Sequence, residues 1–126
     1  MTEFSVRLAN RPGQLATLTR LLADAGVEIE ALATVADNDQ SYVRIVVTNA
    51  ARVRRVLMNA DLEFSERGVL DIFLARGTDS LSHMAEGLAR SNINIESMYL
   101  LHSSAEGFHL AVTVNDEDAA LRVLSG

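Results

Sequence analysis

The sequence contains no cysteine, no tryptophan and one proline, and only 5% of its 126 residues are aromatic. Without cysteine the chain forms no disulfide, uses no thiol nucleophile and binds no metal through thiolates. It has no apolar run near the roughly 18 residues that a membrane helix needs. Its first residues also lack the basic region and apolar stretch of a signal peptide. We therefore expect a cytoplasmic protein that does not act at a membrane.

The charge of the chain is acidic, with 17 Asp and Glu residues against 11 basic ones and a formal net charge of −6. Such a chain is repelled by a phosphate backbone. The strand of interleaved aromatic residues that RNA-binding ferredoxin-like modules use is also missing. We expect no nucleic acid among its partners.

Motifs that carry chemistry are absent from the sequence. There is no nucleophile motif, paired carboxylate site or phosphate-binding loop. His102 and His109 flank a predicted hairpin and, with Glu106, form a possible metal site, but exposed histidines near a turn are usually solvated. The sequence therefore predicts no catalytic residue, no metal and no cofactor. It favours a binding protein over an enzyme.

The most informative feature is an internal repeat. An offset of 66 residues superimposes the two apolar patterns, and beyond a hairpin the offset becomes 67. We attribute the change to one residue inserted in a hairpin loop. The pairs at 66 include Phe4 with Leu70, Val6 with Ile72, Leu8 with Leu74, Leu15 with Leu81, Leu22 with Leu88 and Glu30 with Glu96; those at 67 include Val43 with Leu110, Ile45 with Val112 and Leu57 with Leu124.

Each copy reads as strand, helix, strand, strand and helix, and the first adds a fourth strand. Alternation of apolar and polar residues predicts the strands, and 3.6-residue spacing predicts the helices. Pro12 suits the first turn of the first helix, and Gly26 and its counterpart Asn92 suit a left-handed helix end. Asn49 and Asp116 are expected to cap the second helix of each copy. This is the α+β, ferredoxin-like βαββαβ pattern.

The second copy lacks the segment that forms the fourth strand of the first. Ten residues follow Leu57 before Gly68, but two follow Leu124. We expect two domains, 1–67 and 68–126, and a second sheet with one open edge. Because an unpaired edge is a liability, another segment is expected to cover it, from the same chain or from a second copy. A simply exposed short edge is the alternative.

The residues Asn10-Arg11-Pro12-Gly13-Gln14-Leu15 resemble the signature loop of the ACT domain. The helix end and second strand, from Leu22 to Ile29 and again from Leu88 to Glu96, are similar to that family as well. The resemblance covers nearly the whole chain and implies two units with antiparallel sheets and helices on one face. It also implies a regulatory protein that binds an amino acid or related metabolite at the seam between paired domains.

The resemblance implies a ligand site from the first loop of one domain and the second strand of its neighbour. Free amides at the first helix start suit a carboxylate, and Asp79 in the second loop repels one, so at most one loop per chain is expected to bind. A homodimer and a regulated metabolic enzyme are the implied partners, and a ligand-free interaction module is the alternative. The implied ligand-binding residues are Asn10, Arg11, Pro12, Gly13, Gln14, Asn94, Ile95, Glu96 and Ser97.

Overall fold

Alternating apolar residues form the strands of the first unit, as the sequence predicts. The computed structural model describes residues 1–125. The elements of the first unit are β1 (Thr2–Ala9), α1 (Gln14–Asp24), β2 (Ile29–Asp37), β3 (Gln40–Val47), α2 (Ala50–Asn59) and β4 (Glu63–Gly68). The strands form one sheet in the order β2-β3-β1-β4, in which β3 pairs antiparallel with both β1 and β2.

The second unit repeats the first five of these elements. They are β5 (Leu70–Leu74), α3 (Thr78–Arg90), β6 (Ile95–Ser104), β7 (Gly107–Val114) and α4 (Glu117–Ser125). The sheet has the order β5-β7-β6 with antiparallel pairing. Within residues 1–125 no strand of this sheet corresponds to β4, which confirms the prediction of a missing fourth strand. The chain divides into two compact units, Met1–Arg67 and Gly68–Gly126.

Each unit has its own apolar core, formed by one face of the sheet and both of its helices. Burial of such side chains stabilises each unit by about 1.5–3 kcal/mol per residue. The first core contains Phe4, Val6, Leu8, Leu18, Leu22, Val43, Ile45, Val47, Val53 and Leu57. The second contains Leu70, Met84, Leu88, Ile93, Leu110, Val112 and Ala120. None of the helices within residues 1–125 has the length and apolar character required to cross a bilayer.

The helix ends follow the sequence signals. Gly26 has a φ of 71° and Asn92 a φ of 57°, so both adopt the predicted left-handed conformation. The side chains of Asn49 and Asp116 each accept a hydrogen bond from the backbone N–H three residues later, at 3.1 and 3.0 Å. Both predicted caps are therefore confirmed.

The change of offset from 66 to 67 arises inside a strand and not in a hairpin loop. Both hairpins have two-residue turns, at 38–39 and 105–106. Strand β6 contains an irregularity between Leu100 and His102 that takes up the extra residue. The predicted loop insertion is therefore wrong, because a β-bulge accommodates one residue without any change in the turn.

Candidate functional site

The predicted site loop, residues 10–14, connects β1 to α1 and is tied to the turn of the β2–β3 hairpin. The backbone N–H of Asn10 donates to the carbonyl of Asp39 at 2.8 Å. The side-chain Nδ2 of Asn10 donates to the carbonyl of Asn38 at 2.9 Å. The NH2 group of the Asn10 side chain thus helps to hold the loop against the hairpin turn. Its Oδ1 atom has no hydrogen-bond partner among residues 1–125.

Helix α1 begins later than the sequence indicates. The sequence places Pro12 in the first helical turn, but the helix begins at Gln14 and Gly13 is its N-cap. Gly13 has a φ of 89°, and the space that a β-carbon would fill there is open. Pro12 therefore precedes the cap, and it is the backbone conformation that requires glycine at position 13.

The first N–H groups of α1 are available to an anion. The N–H of Gln14 donates to the carbonyl of Arg11 at 3.3 Å. The N–H groups of Leu15 and Ala16 have no acceptor among residues 1–125, and Gly13 has no side chain with which to cap them. Unpaired donors at the positive end of a helix dipole favour a negatively charged group.

A groove of about 340 Å³ opens beside this helix end, entirely within the first unit. Arg11 is the basic residue among those that line the groove, and it makes no ion pair with any of residues 1–125. No acidic side chain is among the residues that line the groove. The lining residues are Leu8, Ala9, Asn10, Arg11, Gln14, Leu15, Thr34, Ala36 and Ser41.

The other predicted site segment, residues 94–97, begins strand β6 in the second unit. The N–H of Asn94 donates to the side chain of Asn115 at 2.9 Å, Ile95 packs on the second core, and Ser97 shares a 2.5 Å hydrogen bond with a threonine hydroxyl. Glu96 lies at a β-bulge and is exposed, without an ion pair among the described residues. The part of these four residues in ligand binding stays a prediction.

The second unit's counterpart of the loop, residues 76–81, has a different structure. Helix α3 begins at Thr78 and its N-cap is Gly77. Asp79 is not the cap: its carboxylate lies in the first turn, 3.7 Å from Arg76 and 3.8 Å from His83. A fixed carboxylate already interacts with the positive end of this helix, so a ligand carboxylate is disfavoured there.

An aromatic ring fills the second unit's counterpart of the groove. Phe108 packs against the second core, and its ring lies 3.6 Å from the position of a β-carbon on Gly77. Ser41 has the equivalent place in the first unit, because Leu8 pairs with Ser41 as Leu74 pairs with Phe108. The groove is open in the first unit because the side chain of Ser41 is much smaller than the ring of Phe108.

Sequence reasoning missed six of the residues that line the groove. Three of them, Leu8, Ala9 and Leu15, flank the predicted loop, and the other three, Thr34, Ala36 and Ser41, lie on β2 and β3. The side chains of these last three are small and carry no motif of their own. The signal that identifies Ser41 is the repeat, since an offset of 67 sets it against Phe108. A difference in side-chain volume between matched positions is what marks the groove.

The histidines of the second hairpin face each other but form no metal centre in the described structure. His102 and His109 are register partners on β6 and β7, and the ring of His109 is hydrogen-bonded to the carboxylate of Asp71. Within residues 1–125 no three side chains of the metal-binding types are grouped closely enough to hold an ion.

Comparison with known proteins agrees with this architecture. The ACT domain family model matches residues 2–59, most of the first unit. A Bacteroides thetaiotaomicron protein of known structure superposes with a TM-score of 0.86 at 20% identity, covering 98% of this chain and 85% of that chain. The ligand-free regulatory subunit of aspartate kinase from Thermus thermophilus gives 0.70 at 19% identity, covering 98% and 90%.

A longer protein shares the same fold over part of its length. Aspartate kinase from Clostridium acetobutylicum gives a TM-score of 0.65 at 13% identity, covering 98% of this chain and 32% of that chain. At these identities the likeness shows the fold. No curated protein matches the sequence.

Proposed function

We propose that this chain, which is an ACT-domain protein, is a regulatory protein that binds a small carboxylate metabolite in the groove beside α1. An amino acid is the ligand that the chemistry of the groove favours. The observation that carries the proposal is that one groove is lined both by Arg11, which has no ion pair among residues 1–125, and by Leu15, whose N–H at the start of α1 has no acceptor there.

The groove suits an amino acid at both of its charged ends. The helix amides and Arg11 bind the carboxylate through charge-assisted hydrogen bonds. The Oδ1 atom of Asn10 and the hydroxyl of Ser41 are acceptors for the ammonium group, and Leu8 and Leu15 contact the remaining apolar part. The volume of about 340 Å³ lies at the small end of the roughly 300–1,000 Å³ of ligand pockets. A nucleotide-sized ligand is therefore disfavoured.

The sequence carries no catalytic motif, so we propose that the chain exerts its regulatory effect on a partner protein. One protein of the same fold is a regulatory subunit of aspartate kinase, and in another the fold is part of an aspartate kinase. We propose that this chain likewise changes the activity of a metabolic enzyme when its ligand binds. The ligand stabilises the conformation that binds it better, and that conformation presents the surface that the enzyme recognises.

A thermal-shift screen of the purified protein tests the proposal. The twenty amino acids and common 2-oxo acids are compared with amines that lack the carboxylate. A ligand at 100 times its dissociation constant stabilises the fold by about 2.7 kcal/mol, and the matching amine is expected to give no shift. A cooperative melt that no carboxylate shifts would contradict the proposal and favour the ligand-free interaction module.

The substitution Arg11→Gln tests the site itself. Loss of one charge-assisted hydrogen bond costs about 1.5–3 kcal/mol, so affinity measured by calorimetry is expected to fall about tenfold to hundredfold. The matched control is Arg55→Gln, which removes an exposed arginine of α2 that has no ion pair among residues 1–125. Equal affinity in both variants would place the ligand elsewhere.

A further inference from the structure

Strand β5 leaves one edge of the second sheet without a neighbour among residues 1–125. A groove of about 340 Å³ runs along this edge, between β5 and α4. Only one of its lining side chains is charged, that of Asp71, and its carboxylate is hydrogen-bonded to His109. The lining residues are Leu70, Asp71, Ile72, Phe73, Leu74, Leu121 and Leu124.

The first unit shows what fits such an edge. There the position beside β1 and α2 is filled by β4, and Phe64 of this strand and Leu62 just before it pack on the first core. The rings of Phe64 and Phe4 have centroids 5.9 Å apart. Because β5 and α4 repeat β1 and α2, the groove of the second unit is shaped for an extended strand with apolar residues two positions apart.

Two arginines form ion pairs with β4 in the first unit. Arg7 on β1 lies 3.2 Å from the carboxylate of Glu63. Arg54 on α2 donates two hydrogen bonds of 2.6 and 2.7 Å to the carboxylate of Glu66. The strand at this edge is thus held by apolar packing on one face and by ion pairs at its sides.

The second unit replaces both arginines with apolar residues. The repeat sets Phe73 in the place of Arg7 and Leu121 in the place of Arg54, and these side chains are 57% and 47% exposed. Sheets usually protect an outer strand with charge, as β4 does with its two glutamates. The edge at β5 has apolar side chains at both of these positions, so it fits a strand that is more apolar than β4.

We propose that β5 pairs with β5 of a second copy of this chain, antiparallel and about a twofold axis. The strand Leu70-Asp71-Ile72-Phe73-Leu74 carries the pattern that its own groove requires: three apolar residues on the inner face and a phenylalanine outside. A register centred on Ile72 pairs all five residues. It sets Leu70 opposite Leu74 of the second copy and Phe73 opposite Asp71, whose carboxylate is hydrogen-bonded to His109. The two sheets then form one of six strands, through a self-complementary interface.

Sedimentation velocity on the wild type and the double variant Phe73→Arg, Leu121→Arg tests this pairing. The variant carries the residues that the first unit has at these positions, so it is expected to fold. We expect a wild-type dimer at micromolar concentration and a monomeric variant with an unchanged circular dichroism spectrum. The control, Val35→Arg with Met58→Arg, adds the same charge at positions 56% and 64% exposed and should remain dimeric. A monomeric wild type, or a dimeric Phe73→Arg, Leu121→Arg variant, would overturn the proposal.

Cysteine cross-linking gives an answer that does not depend on the arginine variants. The chain has no cysteine, so Ile72→Cys introduces a unique thiol on the proposed axis. Opposed residues of an antiparallel pair have Cα atoms about 4.5–5.5 Å apart, within the roughly 4.4–6.8 Å of a disulfide. Mild oxidation should therefore link Ile72→Cys into a covalent dimer and leave the Val35→Cys control monomeric under denaturing conditions. No cross-link, or equal cross-linking of both, would contradict the proposed register.

Discussion

The ring of Phe108 lies 3.6 Å from the position that a β-carbon of Gly77 would occupy, and so it packs beneath the loop that precedes α3. The equivalent residue of the first unit, Ser41, is too small to make this contact and instead lines a groove. The two units therefore share a fold but differ at one pair of matched positions beside the loop. That difference separates a loop that closes on its own core from one that borders an open site.

The substitution Ser41→Phe is expected to abolish ligand binding while the first unit stays folded. It copies the side chain that the second unit has at this position, so the fold tolerates it and the ring fills the groove. Calorimetry with the ligand from the thermal-shift screen should show at least a hundredfold loss of affinity, which is about 2.7 kcal/mol. Ser41→Ala keeps the groove open and should bind within about tenfold of the wild type. Full binding by Ser41→Phe would place the ligand outside this groove.

Much of the fold could be predicted because the repeat supplies two readings of each element. The left-handed helix ends at Gly26 and Asn92 and the caps at Asn49 and Asp116 come from local backbone preferences, which short sequence patterns express directly. The bulge near Leu101 could not be placed in this way. An inserted residue has the same sequence signal in a strand as in a turn, and only the pairing distinguishes them.

The candidate site was predicted in part, for a related reason. The loop at residues 10–14 carries a motif, but Ser41 comes from a strand that is distant in sequence and is adjacent only through sheet pairing. The resemblance also implies that Gly13 binds the ligand, whereas its φ of 89° makes glycine necessary for the backbone. A Gly13→Asp variant would therefore strain the helix start, and it tests the fold as much as the ligand site.

Loss of the Asn10 side chain is expected to loosen the connection between the loop and the β2–β3 turn. Asn10→Ala removes the hydrogen bond to the carbonyl of Asn38, which should cost about 0.5–1.5 kcal/mol of stability. Hydrogen exchange should become faster at residues 10–14. Gln14→Ala, which alters the same groove without removing a described side-chain hydrogen bond, is the control. Unchanged exchange in Asn10→Ala would show that the backbone bond to Asp39 alone holds the loop.

The stability of the first unit should depend on pH through the pair of Arg54 and Glu66. The hydrogen bond from Arg54 lowers the pKa of Glu66 below its ordinary value. The contribution of Glu66 is therefore complete above the unfolded-state pKa of about 4.3 and is lost as the pH falls through the lower folded-state pKa. Urea unfolding should show Glu66→Gln less stable than the wild type at neutral pH, with the difference vanishing in acid. Since the pair is partly exposed, the effect should be small and reduced by salt.

The control for this pH dependence is Glu86→Gln, which changes an exposed glutamate of α3 that has no ion pair among the described residues. It should keep the wild-type difference between neutral and acid pH. A Glu66→Gln variant that retains the full wild-type pH profile would show that other carboxylates carry the acid sensitivity of the unit.

Two glycines of the second unit should respond to alanine in opposite directions. At Gly107, which has a φ of 141°, a β-carbon would lie 2.0 Å from the carbonyl oxygen of Leu74, so β5 and β7 must separate. Gly107→Ala is expected to destabilise the fold by at least about 1–3 kcal/mol. At Gly87 in α3 the nearest atom is a methyl carbon of Val123 at 3.7 Å, an ordinary contact. Gly87→Ala should therefore stabilise by about 0.4–1 kcal/mol, because alanine restricts the unfolded chain and favours the helix.

Urea unfolding of both variants measures the two changes. A Gly107→Ala variant as stable as the wild type would mean that β7 does not approach Leu74 this closely in solution, and would also weaken the case for an ordered β5 edge.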